Sequence, residues 1–215
     1  MKPTKQTIAF LLTTLAVAAI SLSGCASTGL QRSEQASTSM QAVDNDIKLI
    51  VVQLDATNAA LDQLTRSGQS DVKTAFDLYA DNVSKLAAME TDFAENAAEM
   101  KARGKDYFDE WKIEGNQYKN PRIQELSDQR RMELGEVYGE IPLNSIGVKD
   151  AFRTYVSDAT EIQTYLSNDL TARGVESIAP LAKRVARDGD DLKHAIQKLE
   201  TAIERARAEM AQSGR

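Results

Sequence analysis

The chain has 215 residues, a formal net charge of −6 and a mean hydropathy of −0.41. This length suits one domain that can bury a core without disulfides. The single cysteine excludes an internal disulfide and a cysteine-based zinc site. The acidic balance disfavours nucleic acid and a bare anionic membrane as partners, because phosphate groups repel negative charge. Glycine and proline are few, and the dominance of Ala, Glu, Lys and Leu predicts helices.

Residues 1–24 have the pattern of a signal peptide. Two lysines precede an uncharged apolar stretch from Ile8 to Ile20, which suits an export signal. It falls short of the roughly 20 residues that a membrane-spanning helix needs. The next four residues, LSGC ending at Cys25, resemble the lipobox of bacterial lipoproteins. The alternative is an ordinary secretory signal that a cysteine follows by chance.

The lipobox resemblance implies that Cys25 carries a diacylglyceryl group and becomes the first residue of the mature protein. An amine freed by cleavage can also be acylated, and two or three chains anchor a protein more firmly than one. Ala26 follows, where an aspartate would favour retention in the inner membrane of enterobacteria. We therefore expect an anchor in the outer membrane, on the periplasmic side. Residues 25–33 are small and polar and predict a short lipidated tether, followed by a helical bundle domain over residues 34–212.

Apolar residues recur every three or four positions through the first half of the body, which predicts two long helices. Gly68 and Ser70 are expected to end the first helix and to cap the second. The first stripe is Met40, Val43, Ile47, Ile50, Leu54, Thr57, Leu61 and Leu64. The second is Val72, Phe76, Tyr79, Val83, Leu86, Glu90, Phe93, Ala97, Met100, Gly104, Tyr107 and Trp111.

The second half continues the same spacing. Asn120 and Pro121 predict a helix start, Pro142 and Gly147 predict an interruption, and Thr171 predicts the cap of a last helix. The third stripe is Ile123, Leu126, Leu134, Val137, Ile141, Val148, Phe152, Tyr155, Ala159, Ile162 and Leu166. The fourth is Ile178, Ala182, Val185, Gly189, Leu192, Ile196, Leu199, Ile203, Ala206 and Met210, with Pro180 and Gly189 as candidate bends.

We therefore predict an all-α fold, an elongated antiparallel bundle of about four long helices with coiled-coil-like packing. Short connections make successive helices antiparallel; an extended coiled coil that dimerises is the alternative. The predicted helices cover about 32–66, 70–116, 121–168 (interrupted near 142–147) and 172–211.

The second stripe predicts which residues of its helix are buried. Phe76, Val83, Leu86 and Phe93 are expected to pack against the first and last helices. Glu90 shares their stripe, and an unpaired buried carboxylate is costly. We expect Glu90 at the edge of the stripe or paired with a basic side chain.

No residue pattern predicts catalysis, a cofactor or a metal site. His194 is the only histidine and lies off the fourth stripe, so a di-iron site of paired Glu-x-x-His motifs is excluded. Residues 188–191 (DGDD) superficially resemble a calcium loop, but Leu199 stands where its glutamate is required. We expect that segment to be a solvated helix face with a flexible glycine.

The densest aromatic group consists of Tyr107, Phe108, Trp111 and Tyr118. It is interpreted either as a hydrophobic plug where the second and third helices meet, or as a docking patch for a protein or glycan.

Several segments resemble an uncharacterised family of bacterial, lipid-anchored coiled-coil proteins, the domain of unknown function DUF2959. The resemblance covers most of the mature chain and implies a helical envelope protein without established activity or catalytic residues. It also implies a third helix more continuous than Pro142 and Gly147 suggest. The segments are RG at 103–104, YFDEW at 107–111, NP at 120–121, QRR at 129–131, IQTYLSNDLT at 162–171 and GV at 174–175.

The expected function is non-enzymatic: a lipid-anchored periplasmic helical bundle that acts as an envelope scaffold, spacer or partner-binding lipoprotein. Its expected partners are the membrane, through the lipid on Cys25, and a protein that the sequence does not identify. A homo-oligomer is a further possible assembly. One alternative is a membrane-shaping module of the BAR type, whose basic residues would come from 130–131 and 183–187. Another is a small-ligand or cation binder with room beside Ala97, Gly104 and Gly189, although small residues more often let helices approach closely.

Overall fold

A computed structural model describes residues 28–66, 68 and 70–212. The predicted signal peptide, Cys25 and the first residues of the predicted tether lie outside this described part. Within it the chain forms helices and no strand, which confirms the all-α prediction. No helix there is long and apolar enough to span a bilayer. The helices are α1 (Gly29–Leu64), α2 (Val72–Gly115), α3 (Pro121–Asn168), α4 (Ala172–Ser177) and α5 (Ala179–Gln212).

The four long helices form a closed ring. α1 packs on α2, α2 on α3, α3 on α5, and α5 back on α1, while the short α4 touches α5. Cross-helix contacts show that α1 and α2 are antiparallel: Arg32 reaches Glu114, whereas Gln53 reaches Asn82. The main neighbours of α2 are α1 and α3, whereas the first and last helices were expected to be its neighbours.

The predicted stripes form the core. All eight residues of the first stripe are buried. Thr57, its one polar member, donates its hydroxyl to the Gln53 carbonyl at 2.8 Å, which satisfies the buried group within its own helix. In the second stripe Val83, Leu86 and Phe93 are buried as predicted. Phe76 was also predicted to be buried, which was wrong, since it is only partly buried against the core. Glu90 is partly buried as well, which places it at the edge of the stripe.

The helix ends confirm some predicted caps and correct others. Asn120 caps α3 with Pro121 in the first turn, and Thr171 caps α4. Asp71, rather than Ser70, caps α2 and accepts a hydrogen bond from the Thr74 amide at 3.0 Å. Gly68 has a φ of +79°, a left-handed conformation that favours glycine. It lies in the turn beyond the cap of α1, which falls at residue 65.

α3 is one continuous helix of 48 residues, so the predicted interruption near 142–147 was wrong. Pro142 lacks the N–H that the carbonyl four residues earlier would accept. Buried Ile141, Ser145 and Val148 on the two sides of the proline hold the helix against the core. At about 1.5 Å per residue, α3 is about 70 Å long.

The predicted last helix is divided, because α4 ends at residue 177 and α5 starts at Ala179. Pro180 therefore falls in the first turn of α5, where proline is tolerated, and bends no helix interior. At the other end of the chain, α1 starts at Gly29, inside the predicted tether of residues 25–33. Thr28 and Gln31 cap this start reciprocally, through hydrogen bonds of 2.9 and 3.3 Å.

Candidate functional site

Three members of the predicted aromatic group form a cluster between α2 and α3. The Tyr107 ring lies 5.1 Å from Phe108 and 5.5 Å from Trp111, and Phe108 lies 5.4 Å from Tyr138 of α3, centroid to centroid. The Trp111 indole N–H donates to the Ser127 hydroxyl at 3.0 Å. These edge-on and tilted contacts are the arrangements that aromatic rings prefer in protein interiors.

The contacts of Tyr138 indicate that the aromatic cluster has a structural role. Its hydroxyl donates to the Met100 carbonyl at 2.9 Å, and burial raises its pKa to about 12. A Cβ at Gly104 would lie 2.2 Å from the Tyr138 ring, so glycine is required for this approach. The Tyr107 pKa is also raised, chiefly by burial. This geometry supports the plug interpretation for Tyr107, Phe108 and Trp111.

Tyr118 lies apart from the cluster, in the exposed connection between α2 and α3. It belongs to a group of exposed apolar side chains at the end of the bundle where α1 begins and the α2–α3 connection lies. We call this group the apolar tip. Its members are Leu30, Ile113, Tyr118, Ile123 and Leu126, each 45% exposed or more.

Ile123 and Leu126 were predicted to face the core, which was wrong. Arg130 of α3 is paired with Glu209, near the described end of α5. The turns of α3 before Arg130 therefore extend past the described end of α5, and on that side no helix of the described part of the chain buries Ile123 and Leu126. An amphipathic stripe predicts which side of a helix is apolar, whereas the lengths of the neighbouring helices decide how far that side is covered.

A buried arginine joins α1 to α2 at this same end. The Arg32 guanidinium is almost fully buried and lies 2.6 Å from the Glu114 carboxylate. Such a charge-assisted hydrogen bond holds the first turn of α1 against the last turn of α2. Sequence analysis missed Arg32, because it lay in the predicted tether.

A second polar group, also missed, lies between α3 and α5. The Asp158 carboxylate is buried and lies 2.7 Å from the Arg184 guanidinium. Asp188 is half-buried beside it, and its pKa is raised, first by burial and then by the negative charge of Asp158. The signal in the sequence was the i, i+4 spacing of Arg184 and Asp188, which places both on one side of α5.

Neighbouring side chains fill the space beside Gly104 and Gly189, two of the three small residues that suggested a binding cavity. A Cβ at Gly189 would lie 2.8 Å from the Asn58 amide nitrogen and 3.2 Å from the Tyr155 ring. The Tyr155 hydroxyl donates to the Asn58 side-chain oxygen at 2.8 Å. Gly189 is thus a buried packing position, and the expected flexible glycine was wrong. Close helix approach explains both Gly104 and Gly189.

His194 is exposed as predicted, with its Nδ1 3.4 Å from the Gln197 side-chain oxygen. Among the described residues there is no group of three or more His, Cys, Asp or Glu side chains that could hold a metal ion. Comparisons with protein-family models, curated proteins and solved structures gave no match to the chain. The fold by itself defines the class: an all-α antiparallel bundle.

Proposed function

We propose that this protein is a non-enzymatic, lipid-anchored periplasmic spacer that stands on the outer membrane and holds a partner-binding end away from it. The N-terminal sequence supports the anchor: a short apolar signal and a lipobox-like segment that ends at Cys25. The observation that carries the spacer role is that α1 begins at Gly29. Few residues therefore separate the proposed lipid from a rigid helix.

The dimensions support this role. α3 runs unbroken for 48 residues, about 70 Å. One core cluster extends from Met40, three turns into α1, to Val175 in α4 at the other end. A continuous core makes a bundle stiff, because bending it would open close-packed contacts. The far end, made of the α1–α2 turn and α4, would then stand several tens of ångströms from the bilayer.

The partner-binding part of the proposal belongs at that far end. Leu64, Val72 and Val175 line a groove there, between the α1–α2 turn and α4, together with Arg66 and Glu176. A concave surface that mixes apolar and charged side chains fits a protein segment better than a metal or a cofactor.

Mass spectrometry of the protein purified from envelope membranes tests the anchor. We expect a mature chain that begins at Cys25 and carries acyl groups, and we expect Cys25→Ala to lose them. An unacylated mature protein in the soluble periplasmic fraction would overturn the proposal.

A photo-crosslinking amino acid at two exposed positions tests the spacer role. Glu176 lies at the far end and Leu143 lies on the side of α3, and both are exposed. We expect a discrete crosslinked protein partner in intact cells from position 176 and none from position 143. Equal crosslinking from both positions would contradict a far-end docking site.

A further inference from the structure

The apolar tip is an unusual surface for this chain, because it combines exposed apolar residues with positive charge. Leu30 is 71% exposed in the first turn of α1, and Ile113, Tyr118, Ile123 and Leu126 follow α2 into α3. The Arg32–Glu114 contact and the Trp111–Ser127 hydrogen bond show that these segments meet at one end of the bundle. Exposed apolar side chains grouped in this way mark an interaction surface.

The stretch that carries four of the five tip residues has a slight excess of positive charge. Between residues 112 and 126 the sequence holds Lys112, Lys119 and Arg122 against two acids: Glu114, which Arg32 engages, and Glu125, which pairs with Arg122 at 2.8 Å. The complete chain has a net charge of −6. Basic residues beside exposed apolar ones, with a tyrosine among them, are typical of protein surfaces that enter the headgroup region of a bilayer.

The position of the proposed anchor places this surface next to lipid. Only residues 26 and 27 separate Cys25 from Thr28, the cap of α1. Each residue spans at most about 3.6 Å, so the Cys25 backbone lies within about 11 Å of the start of α1. A chain this short cannot lift the tip clear of the bilayer that holds the lipid.

We propose that the apolar tip is a membrane-contacting surface that enters the headgroup layer of a phospholipid bilayer containing anionic lipids. Ile113, Ile123 and Leu126 provide the apolar contact, and Lys112 and Lys119 face the lipid phosphates. This contact orients the long axis of the bundle along the membrane normal. The inference rests on the proposed anchor at Cys25 for its orientation, whereas the exposed residues are a property of the fold.

The test uses Cys25 itself, since it is the only cysteine in the chain. The chain from Cys25 onwards is coupled through this thiol to a maleimide lipid in phosphatidylcholine vesicles doped with phosphatidylglycerol. This attachment does not depend on natural acylation. A failure of the proposed tip is therefore distinguishable from a failure of the proposed anchor, which mass spectrometry measures separately.

The readout is quenching of a single tryptophan by lipids with brominated acyl chains. Trp111→Phe removes the native tryptophan, and Tyr118→Trp places a reporter in the tip. Leu143→Trp is the matched control, at an exposed apolar position on the side of α3. We expect several-fold stronger quenching at position 118 than at position 143. Circular dichroism verifies that both variants keep the bundle.

A second variant checks the apolar contact. Ile123→Ser with Leu126→Ser should reduce quenching at position 118 several-fold, because the tip loses apolar surface. The matched pair Leu143→Ser with Ile146→Ser changes two exposed apolar residues of the same helix and should leave quenching unchanged.

Equal quenching at 118 and 143 would mean that the bundle lies flat. Absent quenching at 118 would mean that the tip avoids lipid, and a coupled chain that dimerises through it would make the tip a self-association surface. Each of these three results overturns the proposal.

Discussion

The middle of the bundle and the apolar tip contain similar apolar residues at similar helical spacing, yet their environments differ. In the middle, Leu86 and Phe152 are completely buried, since four helices surround them. At the tip, Ile123 and Leu126 are about half exposed, because α3 extends past the described end of its neighbour α5. The difference shows that a stripe stabilises the fold only where facing helices are long enough to cover it. Beyond that point the same stripe becomes available for contacts outside the bundle.

The largest expected effect comes from truncating a leucine in the middle. Leu86→Ala removes a completely buried side chain and should lower the free energy of unfolding by about 2–5 kcal/mol, measured by urea denaturation. Leu126→Ala, the same change at the tip, should cost under about 0.5 kcal/mol.

Lys85→Ala is a second control for this comparison. Lys85 neighbours Leu86 but is exposed, in a surface ion pair with Asp81 at 2.7 Å, and its loss should cost under about 0.5 kcal/mol. Equal destabilisation by Leu86→Ala and either control would contradict the assignment of the buried stripe.

A glycine near the aromatic cluster should give the next largest effect. Gly104→Ala forces a methyl group into the Tyr138 ring and should cost about 1–3 kcal/mol, which a thermal melt measures as a lower Tm. Gly139→Ala meets no atom within 4 Å and should instead stabilise α3, by about 0.5–1 kcal/mol. If both substitutions stabilised the protein, or both destabilised it, the Tyr138 ring would not approach Gly104 as described.

Removing one buried hydroxyl should have a smaller effect. Tyr155→Phe leaves the Asn58 side chain without its donor at 2.8 Å and should cost about 0.5–1.5 kcal/mol in chemical denaturation. Tyr165→Phe changes a tyrosine whose ring is exposed and should cost less. A larger loss of stability in Tyr165→Phe than in Tyr155→Phe would mean that the buried hydrogen bond contributes less than the one at the surface.

The smallest effect should be a change in the pH dependence of stability. The folded-state pKa of Asp188 is raised, first by burial and then by Asp158. The unfolded chain therefore gives up this proton at lower pH than the fold does. Stability from the protonated carboxyl is present in acid and is lost as pH rises through the raised pKa.

Asp188→Asn should reduce the loss of stability with rising pH. At neutral pH it should raise the urea midpoint, which corresponds to a gain of under about 1 kcal/mol in the free energy of unfolding. Asp190→Asn, a substitution at an exposed neighbour, should leave the pH profile as it is. An unchanged profile in Asp188→Asn would mean that the pKa of Asp188 is not raised in the folded protein.

Much of the fold could be predicted from apolar spacing and capping residues. All eight residues of the first stripe, from Met40 to Leu64, are buried as predicted, because each heptad turns two residues to the same side of a helix. Asn120 and Pro121 gave the start of α3 correctly, since cap chemistry is local. Pro142 gave a wrong break, because packing of the residues around it outweighs the lost hydrogen bond.

The candidate sites could be predicted only in part. The aromatic group was visible as a cluster of sequence neighbours, and the structure separates Tyr118 from the other three. Arg32 with Glu114 and Asp158 with Asp188 could not be paired in advance. The partners lie 82 and 30 positions apart, and sequence spacing does not report which helices become neighbours.

The amino-acid sequence by itself determined that this chain is helical, where α3 begins, and which side of each long helix is apolar. These properties depend on interactions over a few residues along one helix. The tertiary structure alone decided that α2 lies between α1 and α3, that Tyr138 fills the space above Gly104, and that the apolar tip stays exposed. Those outcomes depend on the lengths and relative positions of different helices, which only the packed bundle defines.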